Sequence, residues 1–286
     1  MTKRWRLRST SLDLSRGALM AVVNVTPDSF SDGGLRLDET AAIEAGRAMA
    51  SQGADIIDVG GESTRPGADA VPVDEELRRV LPVIEALASD GLIVSVDTSK
   101  PEVARAAVES GAEIINDVTA AAHEEMAVAM ADSGAGVILM HMQGTPRTMQ
   151  ESPSYQDVVA EVASFLADRA RRVIEAGVGA DHIAIDPGIG FGKDVVHNLT
   201  LIARLETLVG VGYPVVLGTS RKSFLGRLTG IAQPAERDQV TAVTTALGFE
   251  RGARVFRVHD VVSSRRALSV AGAIVSPQLW DEWSLD

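Results

Sequence analysis

Eight short, continuous apolar segments recur along the chain, and they restrict its possible folds more than any other feature. They are rich in Val, Ile and Leu, and none alternates cleanly between apolar and polar residues. Segments of this kind are typical of strands covered on both faces, as in a parallel sheet. We predict strands at residues 18–24, 55–59, 92–97, 113–117, 136–141, 182–186, 214–218 and 254–258.

Stretches with helical periodicity lie between these segments. Examples are residues 38–53, 73–91, 100–111, 123–134, 155–177 and 235–252. Most of them end at a glycine just before the next strand, as expected for a left-handed C-cap. Strand then helix, repeated, is the order of a (β/α)8 barrel, whereas a doubly wound sheet usually has about six strands. We therefore predict an α/β fold, a single (β/α)8 TIM barrel.

The length of 286 residues suits one such barrel. No Pro/Ser-rich linker or low-complexity run marks a domain boundary. We therefore predict a single domain over residues 1–286, with residues 1–17 as an N-terminal extension and long loops after the first and second strands.

Composition excludes several classes of function. The formal net charge is −12, so the overall field repels nucleic acid and anionic membrane surfaces. The chain has no cysteine, which excludes disulfides and thiolate metal sites. The N-terminus lacks the apolar stretch of a signal peptide, and no apolar run approaches the roughly 20 residues that span a bilayer. We expect a cytoplasmic protein that holds any anionic ligand in a local basic site.

Polar residues follow nearly every predicted strand, and in a barrel of this class the chemistry gathers at the carboxyl ends of the strands. A single polar residue there proves little, because Asp or Asn also caps the following helix. Eight together predict a functional site at one end of the barrel. The strand ends carry Asn24, Asp58, Asp97, Asn116 with Asp117, His141, Asp186, residues 219–223 and residues 257–260.

Asp97, Asn116 and Asp186 should point toward one cavity from three strands. A metal centre is an alternative explanation, but the five histidines show no HxH or HExxH spacing. Acidic and amide groups suit a flat heterocycle rich in N–H groups better, because a carboxylate can accept two parallel N–H bonds.

Cations follow the last two strands: Arg221 and Lys222 after the seventh, and Arg257 and His259 at the end of the eighth. These turns form the usual phosphate site of the fold. Positive side chains at a helix start oppose the helix dipole, which favours a functional role over a solvated surface. The pattern predicts a phosphorylated substrate.

Two long loops, residues 24–34 and 58–68, carry glycines together with Ser, Thr and Asp. Loops of this composition can close over a substrate and exclude water. The alternative is that each is a disordered crossover without a role. In the second loop, Gly60 and Gly61 should let the backbone turn beside a ligand.

Eight motifs in order resemble the dihydropteroate synthase family, pterin-binding TIM barrels of folate biosynthesis. They are NVTPDSFSDGG, DVGGESTRPGA, SVDT, NDV, MHMQGTPRTMQ, DPGIGFGK, SRKSFLG and RVHDV. The match omits only roughly the first 17 and last 10 residues. The resemblance implies a transferase that condenses a 7,8-dihydropterin-CH2-pyrophosphate with 4-aminobenzoate. The products would be 7,8-dihydropteroate and pyrophosphate, formed through an SN1-like pterin cation.

The resemblance also implies roles for individual residues. The pterin would contact Asp97, Asn116, Met140, Asp186, Gly218, Lys222 and Arg257. The pyrophosphate would contact Asn24, Thr64, Arg257 and His259, and Asn24 would help position a Mg²⁺ held mainly by phosphate oxygens and water. 4-Aminobenzoate would contact Phe30, Ser63, Thr64, Arg65, Pro66, Phe191, Lys222 and Ser223. Catalysis would depend on Thr64, Arg65, Asp97, Lys222 and Arg257.

Two alternatives share the barrel. One is a pterin-dependent methyltransferase that acts on a corrinoid protein, and the other is a catalytically inactive pterin-binding barrel. The methyltransferase needs no pyrophosphate site, so Arg257, His259 and the two loops favour the synthase. The resemblance further implies a homodimer, and competitive binding of sulfonamides, which imitate 4-aminobenzoate.

Overall fold

The chain folds into a barrel of parallel strands surrounded by helices. The computed structural model describes residues 4–25, 35–63, 67–283 and 285. Within them the strands are β1 (Arg4–Arg6), β2 (Ser11–Asp13), β3 (Ala18–Asn24), β4 (Ile56–Gly60), β5 (Val94–Asp97), β6 (Ile114–Asp117), β7 (Gly136–Met140), β8 (Ile183–Asp186), β9 (Val216–Leu217) and β10 (Val255–Val258). β3 to β10 form one parallel sheet in the order β8-β7-β6-β5-β4-β3-β10-β9, and a bridge between Ile185 and Val215 joins its ends. The predicted (β/α)8 barrel is confirmed.

Helices follow the strands as the periodicity predicts. Over the described residues they are α1 (Leu35–Ser51), α2 (Val73–Ser89), α3 (Pro101–Glu109), α4 (Glu124–Ser133), α5 (Val158–Glu175), α6 (Val195–Ala203), α7 (Leu205–Val209), α8 (Ser223–Thr229), α9 (Asp238–Glu250) and α10 (Val261–Val275). Short 3-10 turns cover Ala180–His182, Pro234–Arg237 and Pro277–Trp283. None of the helices in the described part of the chain is long and apolar enough to cross a bilayer.

The barrel interior changes from apolar to polar along each strand. Ile56, Ile114 and Ala184 belong to one buried apolar cluster inside the barrel. Two residues later on the same strands come Asp58, Asn116 and Asp186. Because side chains two apart on a strand point to the same face, these polar groups project into the barrel above the apolar layer. Strand periodicity therefore places them together at the carboxyl ends.

The opposite end of the barrel is closed by a hairpin in which β1 pairs with β2. Trp5, Leu7 and Leu14 are completely or almost completely buried in the same cluster as the interior apolar residues. The indole Nε1 of Trp5 donates to the carbonyl oxygen of His182 at 2.8 Å. Residues 4–17, within the predicted extension, thus complete the apolar filling of the barrel.

Candidate active site

An arginine at the end of β10 joins two carboxylates at the mouth of the barrel. Arg257 donates from Nε to Asp58 Oδ2 and from Nη2 to Asp97 Oδ2, both at 2.7 Å. Asn116 Nδ2 donates to the same oxygen of Asp58 at 3.3 Å. The structure therefore brings together the predicted residues Asp97, Asn116 and Arg257.

Asp186 and Lys222 form the adjoining part of the site. Asp186 Oδ1 accepts a hydrogen bond of 2.6 Å from the backbone N–H of Gly188. A Cβ added to Gly218 would lie 3.7 Å from Asp186 Oδ2 and 3.8 Å from Arg257 Cβ, so this glycine lies between the two charged groups. Lys222 Nζ lies 4.0 Å from the ring centroid of Phe191, which is a cation–π contact.

Asn24 ends β3, where it pairs with Gly60 of β4. A Cβ added to Gly60 would lie 3.8 Å from Asn24 Oδ1 and 3.5 Å from Asp97 Cβ, so the amide oxygen of Asn24 faces the same mouth. The chain bends at Gly61, directly after β4, as predicted, although neither Gly60 nor Gly61 has a positive φ. Gly61 also allows close packing, since a Cβ there would come within 2.8 Å of Val80 Cγ1 on α2.

Burial dominates the electrostatics of these side chains. It raises the pKa of Asp97 to about 7, where Arg257 opposes the shift and Asp58 adds to it. Burial likewise raises the pKa of Asp186, against the Gly188 N–H and Lys222. Burial and then Arg257 lower the pKa of Lys222 to about 8. Asp97 and Lys222 thus have pKa values near neutrality at one barrel mouth, which is typical of functional sites.

The loop after β9 contacts His259, which follows β10, and contains one cation with a different role. The hydroxyl of Ser220 binds His259 at two points. Its Oγ lies 2.9 Å from the imidazole Nδ1 and accepts a hydrogen bond of 3.1 Å from the His259 backbone N–H. Arg221 has a φ of 60° and forms an ion pair with Asp238 on α9, with contacts of 2.7 and 2.8 Å. The structure turns Arg221 toward α9, so this cation supports the loop.

The remaining predicted residues are distributed around the mouth. Met140 and Phe191 pack in one buried apolar cluster with Val118 and Met149. Ser223 is exposed at the start of α8, and Ser63 is half-buried at the end of the described part of its loop. Four predicted residues lie outside the described residues: Phe30, Thr64, Arg65 and Pro66.

Sequence reasoning gave no role to three buried polar residues of this site. Asp58 is fully buried beneath Arg257. The sequence could have indicated this role, because Asp58 is a polar residue at the end of a strand and faces inward as Asn116 does. Lys193 and His141 are also buried, with Lys193 Nζ 2.9 Å from His141 Nδ1. Lys193 is the last residue of the DPGIGFGK motif, and no spacing rule points to its partner.

The chain is similar to several known proteins. The model of a family described as pterin binding enzyme matches residues 20–259. A dihydropteroate synthase of Escherichia coli K12 is 46% identical over 94% of this chain and 95% of its own length. The solved structure of a Xanthomonas albilineans dihydropteroate synthase with 4-aminobenzoic acid superposes with a TM-score of 0.91 at 47% identity, over 96% of this chain and 99% of that one. A Yersinia pestis dihydropteroate synthase with a sulfonamide drug gives a TM-score of 0.90 at 41% identity, over the same shares.

Proposed function

This chain belongs to the pterin-binding enzymes, and within them to the dihydropteroate synthases, and from that membership we propose how its own residues carry out the reaction. It is a transferase that condenses 7,8-dihydropterin-CH2-pyrophosphate with 4-aminobenzoate, giving 7,8-dihydropteroate and pyrophosphate. The observation that carries the residue assignment is the set of buried charges around Arg257, at the carboxyl end of a confirmed barrel.

We assign the pterin to the pocket between Asn116, Asp186 and Lys222. The carboxylate of Asp186 would accept two N–H groups of the amino-pyrimidinone edge, a geometry that carboxylates use with any parallel pair of donors. Lys222 would donate to the ring carbonyl, and Asn116 would bond the neighbouring ring nitrogen. Arg257, half-buried beside this pocket, would stack on the face of the pterin. Met140 and Gly218 would shape the walls.

The bond between the pterin methylene and the pyrophosphate oxygen would break first, and its electron pair would leave with pyrophosphate. The nitrogen electrons of the reduced pterin delocalise the resulting methylene cation. Asp97, ionised and close to the ring, would stabilise that cation electrostatically. The amine of 4-aminobenzoate would then attack the methylene carbon and lose a proton. No protein nucleophile takes part in this sequence of steps.

Arg257, His259, Thr64 and Asn24 would hold the pyrophosphate. The donor set fits a Mg²⁺ ion bound mainly through the substrate, because Asn24 offers one amide oxygen and the described residues contain no group of three His, Asp or Glu suited to a metal. Bound there, Mg²⁺ would neutralise charge on the leaving pyrophosphate. We expect Asn24→Ala to raise the Mg²⁺ concentration needed for half-maximal rate, and an unchanged requirement would remove Asn24 from this role.

The second substrate would lie over Phe191 and Lys222, with Ser223 near its carboxylate and Phe30, Ser63, Thr64, Arg65 and Pro66 closing above it. The contact between Lys222 and Phe191 supports this position, because it places a cation beside an aromatic wall. Two solved relatives contain 4-aminobenzoic acid and a sulfonamide drug. We propose that these two compounds compete for this second site in the present chain.

We also propose that two copies associate through α9 and α10, which pack against each other. Val243 and Leu247 on α9 and Val270 and Ile274 on α10 are exposed large apolar residues. Each pair is four residues apart and therefore lies on one helix face. Sedimentation should show a dimer that Ile274→Asp converts to monomer, and a monomeric wild type would refute this arrangement. A cytoplasmic location stays a prediction from the sequence, which cell fractionation can check.

The reaction is tested by incubating the purified protein with the pterin pyrophosphate, 4-aminobenzoate and Mg²⁺. We expect release of pyrophosphate, together with formation of dihydropteroate that depends on the amine. Pterin binding without either product would identify an inactive barrel. Methyl transfer from a reduced folate to a corrinoid protein would identify the methyltransferase.

A further inference from the structure

Residues 187–192 belong to the connection between β8 and α6 and form the wall of the site that carries Phe191. Three glycines in this loop have positive φ: 66° at Gly188, 84° at Gly190 and 63° at Gly192. A Cβ on Gly188 would lie 1.8 Å from the carbonyl oxygen of His141, so no other residue fits there. Because this backbone cannot continue the sheet ladder, its carbonyl groups need hydrogen-bond donors from elsewhere.

Two of those donors reach the loop from outside the site. Gln150 Nε2 donates to the carbonyl oxygen of Gly190, and Tyr155 Oη donates to that of Gly192, both at 2.7 Å. These bonds satisfy the carbonyl groups of Gly190 and Gly192 and leave that of Phe191 between them to be satisfied from another direction.

Lys193 supplies the bonds from the inner side. Its Nζ lies 3.0 Å from the carbonyl oxygen of Gly188 and 2.9 Å from that of Phe191. The same nitrogen lies 2.9 Å from His141 Nδ1, in the segment that follows β7. Only 2% of Lys193 is exposed, so water does not compete for these contacts.

Burial lowers the pKa of Lys193 to about 7, so below that pH its nitrogen is an ammonium group. An ammonium group has three N–H donors and no acceptor, which matches the three nearest contacts of Lys193. The ring nitrogen Nδ1 of His141 must then accept, so the imidazole proton is carried by Nε2. Burial, followed by the charge of Lys193, lowers the pKa of His141 to about 3, which agrees with a neutral ring.

We propose that Lys193 is a positioning residue of the active site, whose buried ammonium joins the segments after β7 and β8, holds Phe191 against Lys222 and fixes His141 as the Nε2–H tautomer. Its effect on turnover rests on the proposed function, whereas the tautomer does not. Lys193 also contributes positive charge behind Asp186, where it favours the ionised carboxylate.

The test combines side-chain ¹⁵N NMR with kinetics, and His141→Gln assigns the ring signals. At about pH 6 the wild-type ring should be neutral, with the proton on Nε2 and Nδ1 accepting a hydrogen bond. In Lys193→Met the pKa of His141 should rise toward its ordinary value of 6.5, because one of the two causes of the shift is removed. We expect kcat/KM for 4-aminobenzoate to fall about 10- to 100-fold, the usual range when a supporting residue lets reacting groups move.

Tyr155→Phe is the matched control, because it removes one bond to the outer side of the same loop. It should leave the ring signals of His141 unchanged and kcat/KM within about threefold of wild type. A wild-type His141 protonated on Nδ1, or wild-type kinetics in Lys193→Met, would overturn the proposal. The wild-type spectrum decides the tautomer even if Lys193→Met does not fold. Failure of wild type to release pyrophosphate would instead contradict the proposed function.

Discussion

Arg257 and Asp97 form an ion pair across the mouth of the barrel, with Nη2 of the arginine 2.7 Å from Oδ2 of the aspartate. Nε of the same guanidinium donates a hydrogen bond to Asp58 Oδ2, also at 2.7 Å. One cation therefore balances two buried carboxylates, and this group of three residues keeps an excess of negative charge when both are ionised. Excess negative charge is what a developing pterin cation requires from its surroundings.

The pH dependence should show this arrangement directly. Since burial raises the pKa of Asp97 to about 7 and only the ionised carboxylate stabilises the cation, kcat/KM for the pterin pyrophosphate should fall below about pH 7. Loss of charge from Lys222, whose pKa burial lowers to about 8, should reduce it again above about pH 8. Asp97→Asn should reduce kcat about 100-fold and lack the acidic limb. The fall in kcat/KM at acidic pH is assigned to Asp97 only if it disappears in this variant.

The same group should affect stability in a defined direction. The folded-state pKa of Asp97 lies above its ordinary value of 3.8, so the folded state binds the proton more tightly than the unfolded state. Its contribution to the free energy of unfolding is present below about pH 4 and is lost as pH rises through about 7. The free energy of unfolding, measured in urea, should fall more steeply between about pH 4 and pH 7 in wild type than in Asp97→Asn. Parallel plots of this free energy against pH would contradict the assignment.

Asp58→Asn should separate the two carboxylates functionally. The change keeps the side-chain shape but removes a negative charge that raises the pKa of Asp97, so the acidic limb should move to lower pH. Loss of the ion pair to Arg257 should also reduce kcat/KM about 10-fold or more. Asp55→Asn is the control, because it breaks the pair between Asp55 and Arg265 before the same strand. A shifted limb in the control would mean that the effect is not local.

Asp186→Ala should abolish pterin binding measured by calorimetry. The variant removes a buried acceptor for which Asn116 cannot substitute, and we expect affinity to fall at least about 100-fold. Asp181→Ala, which removes an exposed carboxylate just before the same strand, should bind as wild type does. Unchanged affinity in Asp186→Ala would place the pterin elsewhere.

Arg65→Ala should distinguish the two substrates. If residues 63–66 close on the amine, this variant keeps its pterin affinity and raises the KM for 4-aminobenzoate about 10-fold, the effect of losing one charged hydrogen bond. Arg78→Ala, an arginine paired with Glu75 on the surface of α2, is the control. An unchanged KM in Arg65→Ala would exclude it from the second substrate site.

Trp5→Ala should destabilise the fold without altering the site. Removal of this buried indole should lower the free energy of unfolding by about 3–5 kcal/mol, because it leaves a cavity among the interior apolar residues. The folded fraction should keep its kcat, since the site lies at the other end of the barrel. Arg6→Ala, on the exposed face of the same strand, should change stability by about 0.5 kcal/mol or less. A lower kcat in Trp5→Ala would link the two ends.

The sequence by itself determined the barrel and the positions of its main polar residues. Apolar runs covered on both faces, separated by amphipathic helices, are compatible with few other folds. Strand periodicity then places Asp97, Asn116, Asp186 and Arg257 at carboxyl ends that face one space. These properties depend on neighbouring residues and on the order of elements, so they can be derived from the chain alone.

Only the tertiary structure decided which of the charged groups pair. Arg257 meets Asp58 and Asp97, which precede it by 199 and 160 residues. Lys193 meets His141 across two loops, and Arg221 turns to Asp238 although Lys222 beside it faces Phe191. Several groups of each sign lie near the mouth, and their partners depend on strand tilt, barrel closure and side-chain rotamers. Those quantities result from packing of the whole molecule, and no local pattern of residues specifies them.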